Sequence, residues 1–295
     1  MRLPAGLYPF RSHFFARHGL RLHFVDEGAG PPVVLLHGNP TWSFHFRHLI
    51  TALRDGARVV APDHMGMGWS DKPGDDRYAY HLQSRIDDLE ALLDHLGLTR
   101  GLTLVMQDWG GMVGMGYASR HPERVARLVV LNAAAFRVPP GMRVPLALRL
   151  VRDTALGALL VRGSNVFVRA AARVCCQRRR MPRPVRAAYL APYDCWAHRI
   201  AVLRFPQDVP LTPKDRSYAL VSRIEDDLAR FASLPTLICW GERDYVFPPP
   251  VLDLWLRHWP RAQVLRLPDC GHWVLEDAPD EIAATVRQFL SDHPV

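Results

Sequence analysis

The sequence has no long hydrophobic run. Its longest uninterrupted apolar stretches, such as residues 33–36 and 128–131, have the length of strands, whereas a helix that spans a bilayer needs about 20 apolar residues. The N-terminal stretch MRLPAGLYPFRSHFF contains neither a continuous apolar segment nor a small-residue cleavage site. We therefore expect a cytoplasmic protein that is not transmembrane.

Cysteine is scarce and its spacing follows no known framework. There are five cysteines, an odd number, and no CxxC pair. Disulfide scaffolds use even numbers of cysteines, and zinc sites use closely spaced pairs. We expect free thiols of a reducing compartment, and the sequence implies no metal and no organic cofactor.

Acidic residues are almost absent from one segment. Residues 137–190 contain twelve arginines, no lysine and one acid, Asp153, so this segment carries +11 while the whole chain carries +8 and the remainder 8 − 11 = −3. Such a segment is either a solvated face or a surface for an anionic membrane, an acidic partner or nucleic acid. No nucleic-acid-binding motif accompanies it. We expect no nucleic acid, and we keep a multi-enzyme assembly and peripheral membrane contact as hypotheses.

The order of apolar patterns predicts an α/β fold. Short buried-type strands and amphipathic segments alternate over the first ~135 residues, with helices predicted at 43–54 and 82–96 and a strand at 102–106. This alternation predicts a mostly parallel, doubly wound sheet with helices on both faces. The alternation stops in the Arg- and Pro-rich residues 137–223 and resumes afterwards. We predict a core of residues 1–136 and 224–295 with a helical cap at 137–223.

The candidate nucleophile lies in the segment LTLVMQDWGG. A nucleophile elbow, G-x-S-x-G, places a nucleophile on a sharp turn between a strand and a helix. Here Asp108 replaces the serine, Gln107 replaces the first glycine, and Gly110 and Gly111 open the predicted helix. A carboxylate can attack carbon without first losing a proton, and the product is an ester intermediate. The alternative is that Asp108 only caps the helix.

Two further positions favour the catalytic interpretation of Asp108. Asp244 follows the predicted strand LICW, and His272 follows the last predicted strand. The chain order nucleophile, acid, histidine is that of the α/β-hydrolase fold. We expect His272 to act as the base on the intermediate and Asp244 to orient its imidazole.

The segment HGNP, residues 37–40, supplies a candidate anion site. It follows an earlier predicted strand, where this fold places donors for an oxyanion or a leaving group. Asn39 offers a backbone N–H and a side-chain amide, and Trp109 offers a backbone N–H and an indole N–H. This neutral pair of donors suits a small anion such as a halide.

These residues resemble the haloalkane dehalogenase family of α/β-hydrolases. The similarity covers nearly the whole chain outside the cap and is carried by the segments HGNPTWSF, PDHMGMGWSDKP, QDWGG, WGERD and GHWVLED. The resemblance implies that Asp108 is the nucleophile, His272 the base and Asp244 the acid, with Asn39 and Trp109 as the anion-binding pair. One branch of the family has a glutamate after the strand that here ends at Asn132. No acid lies near Asn132, so the Asp244 branch fits better.

Within that branch the sequence looks most like the β-lactone decarboxylases of bacterial olefin synthesis. The segments LQSRIDDLEALLDHLG, LVRDT and AYLAPYDCWAHRIAVLRFPQDVPL carry this similarity. It implies an apolar substrate, a cis-β-lactone with two long alkyl chains, and an internal alkene and carbon dioxide as products. Hydrolytic dehalogenation of a haloalkane is the alternative, and the sequence leaves open which ring carbon is attacked.

Four other functions are weaker candidates. An epoxide hydrolase would present two cap tyrosines to the substrate oxygen, and Tyr189 and Tyr193 are the candidates. A fluoroacetate-type dehalogenase would place an arginine where Trp109 stands. A non-catalytic ligand sensor on this fold would not need all three of nucleophile, acid and base. A nucleic-acid-binding module would rest on the basic stretch alone, and salt-dependent DNA binding would test it.

Overall fold

A computed structural model describes residues 6–139, 141–142 and 144–295. Its centre is a single eight-stranded sheet in the order β1-β2-β4-β3-β5-β6-β7-β8. The strands, in chain order, are β1 (Ser12–Arg17), β2 (Leu20–Glu27), β3 (Pro32–Leu36), β4 (Arg58–Pro62), β5 (Leu102–Asp108), β6 (Val125–Ala133), β7 (Thr236–Gly241) and β8 (Gln263–Leu267).

The sheet is mostly parallel, as the alternation of strands and helices predicts. Strand β2 pairs antiparallel with both β1 and β4, and every other neighbouring pair is parallel. The central strands β3 and β5 are apolar and buried on both faces, which is typical of parallel strands covered by helices on each side. The carboxyl ends of β3, β5, β6, β7 and β8 therefore meet along one edge of the sheet.

Twelve α-helices accompany the sheet in the described part of the chain. Those outside the predicted cap are α1 (Arg47–Leu53), α2 (Leu82–His95), α3 (Gly110–Arg120), α10 (Pro249–His258), α11 (Val274–Asp277) and α12 (Pro279–Asp292). Those that begin within it are α4 (Leu146–Asp153), α5 (Ala155–Ser164), α6 (Val166–Val174), α7 (Arg183–Leu190), α8 (Ile200–Gln207) and α9 (Tyr218–Asp227).

Two apolar layers form the core, one on each face of the sheet. Helices α2 and α3 pack with α9 on one face, while α1 and α12 pack together on the other. Helix α2 follows the predicted 3–4 spacing, because Leu82, Ile86, Leu89 and Leu93 are all buried. The α/β-hydrolase fold predicted from the sequence is confirmed.

Several boundaries differ from the sequence prediction. Strand β5 extends two residues further than predicted and ends at Asp108 itself. The predicted helix at 43–54 is a 3-10 turn, Ser43–Phe46, followed by α1. Helix α9 crosses position 223, so no break in secondary structure marks the predicted end of the cap.

No single described helix combines the length and the apolar content needed to cross a bilayer. Helices α5 and α6 together have the required length and apolar content, but the chain bends by 76° between them. The bend lies at Asn165, whose φ of +55° is left-handed.

Candidate active site

Asp108 is held on a strained, tightly packed turn. It has a φ of +52°, a region that non-glycine residues seldom adopt and that is often found at functional sites. Neighbouring glycines make the turn possible: a Cβ on Gly110 would lie 1.9 Å from the Leu36 carbonyl oxygen, and one on Gly38 would lie 2.2 Å from Asp108 Oδ2. The glycines in and near the segment QDWGG are therefore needed because the neighbouring parts of the chain approach each other closely.

The side chain of Asp108 does not cap helix α3. The residue that precedes the helix is Trp109, and no side chain forms a capping hydrogen bond there. Instead, the backbone N–H of Asn39 donates to Asp108 Oδ2 at 2.7 Å. The structure therefore does not support the capping alternative.

His272 lies between the two carboxylates. Its Nδ1 is 2.8 Å from Asp244 Oδ2, within hydrogen-bond distance, and its Nε2 lies 4.0 Å from Asp108 Oδ1. All three residues are at most 6% exposed. Asp108 and His272 are 164 positions apart in the chain. The fold thus brings the three predicted residues together, with the histidine between the candidate nucleophile and the candidate acid.

Burial and charge act in opposite directions on these groups. Burial raises the pKa of Asp108 above its ordinary value, although His272 and the backbone N–H groups of Asn39 and Trp109 favour the ionised carboxylate. Burial alone would lower the pKa of His272. The negative charges of Asp244 and Asp108 outweigh it, so that the pKa of His272 is raised. The two neighbouring carboxylates therefore favour the protonated form of His272.

Asn132 fixes the acid and was missed as a functional residue by the sequence analysis. Its amide nitrogen donates to Asp244 Oδ2 at 2.9 Å, and its amide oxygen accepts the Gly241 N–H at 2.8 Å. Asp244 Oδ1 accepts the Val246 N–H at 2.6 Å. The signal available was its place at the end of β6, beside the strand that carries the acid. Asn132 is therefore a positioning residue for Asp244.

Two glycines allow the acid and histidine loops to meet. A Cβ on Gly241 would lie 2.3 Å from the Gly271 carbonyl oxygen. The glycine of WGERD therefore allows the acid loop to cross the histidine loop. The glycine of CGHW allows the histidine loop to pass the cap, because a Cβ on Gly271 would lie 2.4 Å from the Cys175 carbonyl oxygen.

Asn39 and Trp109 both lie beside the nucleophile and beneath α8. The Asn39 side-chain nitrogen donates to the Val202 carbonyl at 3.1 Å, which leaves one of its two hydrogens available. The Trp109 ring packs edge-on against Phe205, with centroids 5.2 Å apart. The structure thus places both predicted anion donors at the site, with one amide hydrogen already used to hold the cap.

A buried charge behind these aromatic rings was also missed. The Arg85 guanidinium lies 3.7 Å from the centre of Phe205 and 5.8 Å from that of Trp109. Its Nη1 is 3.7 Å from Asp208 Oδ2, and none of its nitrogens has a hydrogen-bond partner. Asp208 in turn accepts the Leu82 N–H at 2.6 Å. This contact joins α8 of the cap to the start of α2.

The two candidate tyrosines of an epoxide hydrolase are engaged elsewhere. Tyr189 donates to Glu276 Oε1 at 2.6 Å and lies 2.7 Å from His45 Nδ1. The Tyr193 hydroxyl is 3.4 Å from the Thr41 carbonyl oxygen. Both rings are fully buried. The geometry does not present these hydroxyls as a pair to one substrate oxygen.

One group of described residues has the side-chain spacing of a metal site. Asp194, Cys195 and His198 bring their ligand atoms within 4.8 Å of one another. The group is exposed, and His198 Nδ1 lies within hydrogen-bond distance of Asp194 Oδ1, at 2.6 Å. It includes none of the residues around Asp108.

Comparison with known proteins identifies the family to which this fold belongs. The model of the α/β-hydrolase fold family matches residues 31–279. A cis-3-alkyl-4-alkyloxetan-2-one decarboxylase of Shewanella oneidensis is 52% identical, with 97% of this chain and 90% of that protein covered. A protein of the same name from Xanthomonas campestris pv. campestris is 44% identical, with 95% of each chain covered.

The haloalkane dehalogenases are more distant. Haloalkane dehalogenase 2 of Mycobacterium tuberculosis is 35% identical, with 95% of each chain covered. The crystal structure of haloalkane dehalogenase DatA from Agrobacterium tumefaciens C58 superposes with a TM-score of 0.88 at 25% identity, covering 99% of this chain and all of that one. The chain therefore belongs to the α/β-hydrolase fold family and, within it, to the group of enzymes that contains the cis-3-alkyl-4-alkyloxetan-2-one decarboxylases and the haloalkane dehalogenases.

Proposed function

We propose that this enzyme converts a cis-β-lactone with two alkyl substituents, a cis-3-alkyl-4-alkyloxetan-2-one, into an alkene and carbon dioxide. The observation that carries the proposal is the 52% identity to a relative of that name over nearly the whole chain. The buried set of Asp108, His272 and Asp244 supplies the chemistry. Long alkyl chains in the substrate rest on the sequence resemblance alone.

In the first step the Asp108 carboxylate attacks C4 of the four-membered ring. The bond between C4 and the ring oxygen breaks as the new C–O bond forms, and the ring carbonyl becomes a free carboxylate. Ring strain favours this opening. The remaining Asn39 amide hydrogen and the Trp109 indole N–H are the donors that we assign to the released carboxylate.

In the second step the intermediate collapses without water. The electrons of the bond between C3 and the carboxylate carbon form the C3=C4 double bond, carbon dioxide leaves, and the C4–O bond to Asp108 breaks. Asp108 is regenerated as a carboxylate. The His272 imidazolium, 4.0 Å away and held by Asp244, stabilises the returning negative charge.

Haloalkane hydrolysis is the second candidate function. It is favoured by the 35% identity to a haloalkane dehalogenase and by a donor pair that suits halide equally well. In that reaction His272 would act as a neutral base on water, which attacks the Asp108 ester. The two functions thus require opposite protonation states of one imidazole.

A substrate comparison tests the proposal. Purified enzyme is given a synthetic cis-β-lactone and, separately, 1,2-dibromoethane, and alkene and bromide are measured. We expect alkene formation and no bromide release. Bromide without alkene would replace the proposal with dehalogenation.

Isotope labelling provides an independent check. After repeated turnover in H₂¹⁸O, the peptide that contains Asp108 is analysed by mass spectrometry. Decarboxylation leaves its carboxylate unlabelled, because no water attacks it. Hydrolysis of an Asp108 ester would introduce ¹⁸O, and a labelled carboxylate after lactone turnover would contradict the second step.

We also propose that the enzyme works in a reducing, cytoplasmic setting. All five cysteines are unpaired, which suits such a compartment. Cell fractionation followed by detection of the native protein tests this, and recovery from an oxidising compartment would contradict it.

A further inference from the structure

The surface of the cap exposes apolar side chains on three successive helices. Most of the large hydrophobic residues that are exposed in the described chain lie between positions 146 and 196: Leu146, Leu150, Leu156, Leu159, Val166, Val174 and Trp196. Leu146 is 82% exposed, and Leu156 and Leu159 are each 56% exposed. A concentration of this kind marks a contact surface.

Several of these side chains form one continuous patch. Helices α4 and α5 cross closely, since a Cβ on Gly157 would lie 2.1 Å from the Leu150 carbonyl oxygen. At the other end of α5, a Cβ on Gly163 would meet Leu159 Cδ1 at 3.6 Å and Trp196 Cζ3 at 3.8 Å. The patch therefore extends from α4 along α5 to Trp196.

The same segment carries arginines without acidic partners. Among the described arginines of 137–190, ion pairs involve Arg137, Arg152 and Arg178. The other eight have no carboxylate within ion-pair distance: Arg149, Arg162, Arg169, Arg173, Arg179, Arg180, Arg183 and Arg186. A purely solvated face gains nothing from combining uncompensated charge with exposed leucines.

Some of these arginines are grouped as an anion would require. Arg169 and Arg173 are one turn apart on α6 and are both exposed. Arg180, Arg183 and Arg186 line a surface pocket of about 360 Å³ beside α7, which packs on α6. Near Trp196, the Arg162 guanidinium lies 4.7 Å above the indole ring.

We propose that this face of α4, α5, α6 and Trp196, with the Arg180–Arg186 pocket, docks on an anionic phospholipid bilayer. The arginines match the phosphate headgroups, and the leucines and Trp196 enter the interfacial layer, as in peripheral amphipathic helices. A second copy of the chain is a poor occupant because two faces of the same high positive charge would repel. The proposal deepens the proposed function, since an alkyl-substituted lactone partitions into the same bilayer, but binding itself requires no turnover.

Flotation with vesicles tests the proposal on the full-length protein. Vesicles of phosphatidylethanolamine and phosphatidylglycerol are compared with vesicles of phosphatidylcholine alone. We expect binding to the anionic vesicles that weakens as salt is raised. Arg169→Glu/Arg173→Glu should lower the partition coefficient at least about tenfold.

A matched control separates this face from net charge. Arg257 and Arg287 are exposed arginines on the core helices α10 and α12 and have no ion-pair partner. Arg257→Glu/Arg287→Glu changes the net charge equally and should leave vesicle binding unchanged. An equal loss in both double variants would overturn the assignment of the face.

The apolar contribution has its own control. Leu156→Ser/Leu159→Ser should weaken vesicle binding at low and high salt alike, whereas Val264→Ser on the edge strand β8 should not. Vesicles should also shift the tryptophan emission of the wild type to shorter wavelength, and Trp196→Phe should reduce that shift. All of these side chains are exposed, so an unchanged melting temperature verifies folding.

Two further outcomes would reject the bilayer as occupant. If no vesicle binds, but an acidic cytosolic protein is retained by the wild type and lost in Arg169→Glu/Arg173→Glu, the face serves a protein assembly. If light scattering shows a dimer that dissociates in Leu156→Ser/Leu159→Ser, the occupant is a second copy. Alkene assays on a short-chain, water-soluble lactone are unaffected in either case, which distinguishes these failures from failure of the proposed function.

Discussion

The edge of the sheet that carries the candidate active site and the outer face of the cap use polar residues in opposite ways. At the edge, Asp108, His272, Asp244 and Asn132 are buried and joined by contacts of 2.8–4.0 Å. On the cap, eight arginines have no carboxylate partner, and the same segment of the chain carries exposed leucines. Buried polar side chains that have their hydrogen-bond partners hold the fixed geometry that a chemical reaction needs. Exposed, unpaired charge instead remains available to something outside the chain.

The largest expected effect is at the nucleophile. Asp108→Ala should lower kcat for lactone decarboxylation by about 10⁴-fold or more, by analogy with loss of a covalent nucleophile. The melting temperature should change little or rise slightly, because the substitution removes a carboxylate whose ionised form is destabilised by burial. Activity and thermal unfolding are measured on the same preparation. Residual activity near that of the wild type would place the chemistry elsewhere.

Asp244→Asn should have the next largest effect, on the order of 10³–10⁴-fold on kcat. The wild type should lose activity in acid as Asp108 is protonated, at a pH above the ordinary aspartate range because its pKa is raised. It should lose activity in base as the His272 imidazolium, whose pKa is also raised, loses its proton. Asp244→Asn removes a charge that raises the pKa of His272, so the alkaline limb should move to lower pH.

The pH profile also distinguishes the two candidate reactions. A haloalkane hydrolase needs neutral His272, and its activity would rise with pH through the pKa of His272. An alkaline limb that does not move in Asp244→Asn would indicate that His272 is not the titrating group.

Asp208→Ala tests the junction between the two regions. Asp208 accepts the Leu82 N–H and the Ser217 hydroxyl and lies 3.7 Å from the buried Arg85 guanidinium. Removing it leaves a buried charge without its counter-ion, which typically costs about 3–5 kcal/mol. Urea unfolding measures the loss, with the exposed Asp253→Ala as control. A change below about 0.5 kcal/mol would mean that Asp208 does not hold the junction.

Trp109→Phe should be milder. The substitution retains the edge-on contact with Phe205 but removes the indole N–H, a donor that we assign to the leaving carboxylate. Loss of one such donor costs about 10²–10³-fold in kcat, and the unfolding free energy should change little. Equal kcat values for the variant and the wild type would show that the indole N–H does not act in the transition state.

The smallest effect should be on the outer face of the cap. Arg169→Glu/Arg173→Glu should change the unfolding free energy by less than about 0.5 kcal/mol for each substitution. The kcat value for a water-soluble lactone should also be unchanged. A large decrease in the unfolding free energy or in kcat would mean that these arginines stabilise the fold or act in the site. The two regions would then not differ as described.

The meeting of Asp108, Asp244 and His272 at one edge could be predicted because its signals are local. Gly110, Gly241 and Gly271 mark places where backbones nearly touch, and each lies within three positions of a candidate site residue. Strand-length apolar runs then bring Asp108, Asp244 and His272 to one edge through parallel topology. The sheet and helix α2 could also be predicted, because the periodicity of apolar residues is likewise a local signal.

The remaining features depend on contacts between residues far apart in the chain. Asn132 bonds Asp244 across 112 positions, and an asparagine at the end of a strand has no distinctive pattern. Arg85 lies on the buried side of α2, where an arginine is unexpected and its counter-ion comes from α8. Strand β1 has no fully buried residue, and its sequence SHFFAR shows no regular alternation of apolar and polar residues. Exposure of the cap leucines could not be read from composition.

The central claim is that Asp108 forms a covalent bond with the substrate. The most direct measurement is rapid quenching of the wild type and of His272→Ala during reaction with a cis-β-lactone, followed by intact-mass analysis and peptide mapping. We expect an adduct of the full lactone mass on Asp108. The adduct should accumulate more in His272→Ala, because its breakdown is slower without the imidazole. Absence of any adduct in both proteins, together with alkene formation by Asp108→Ala, would contradict it.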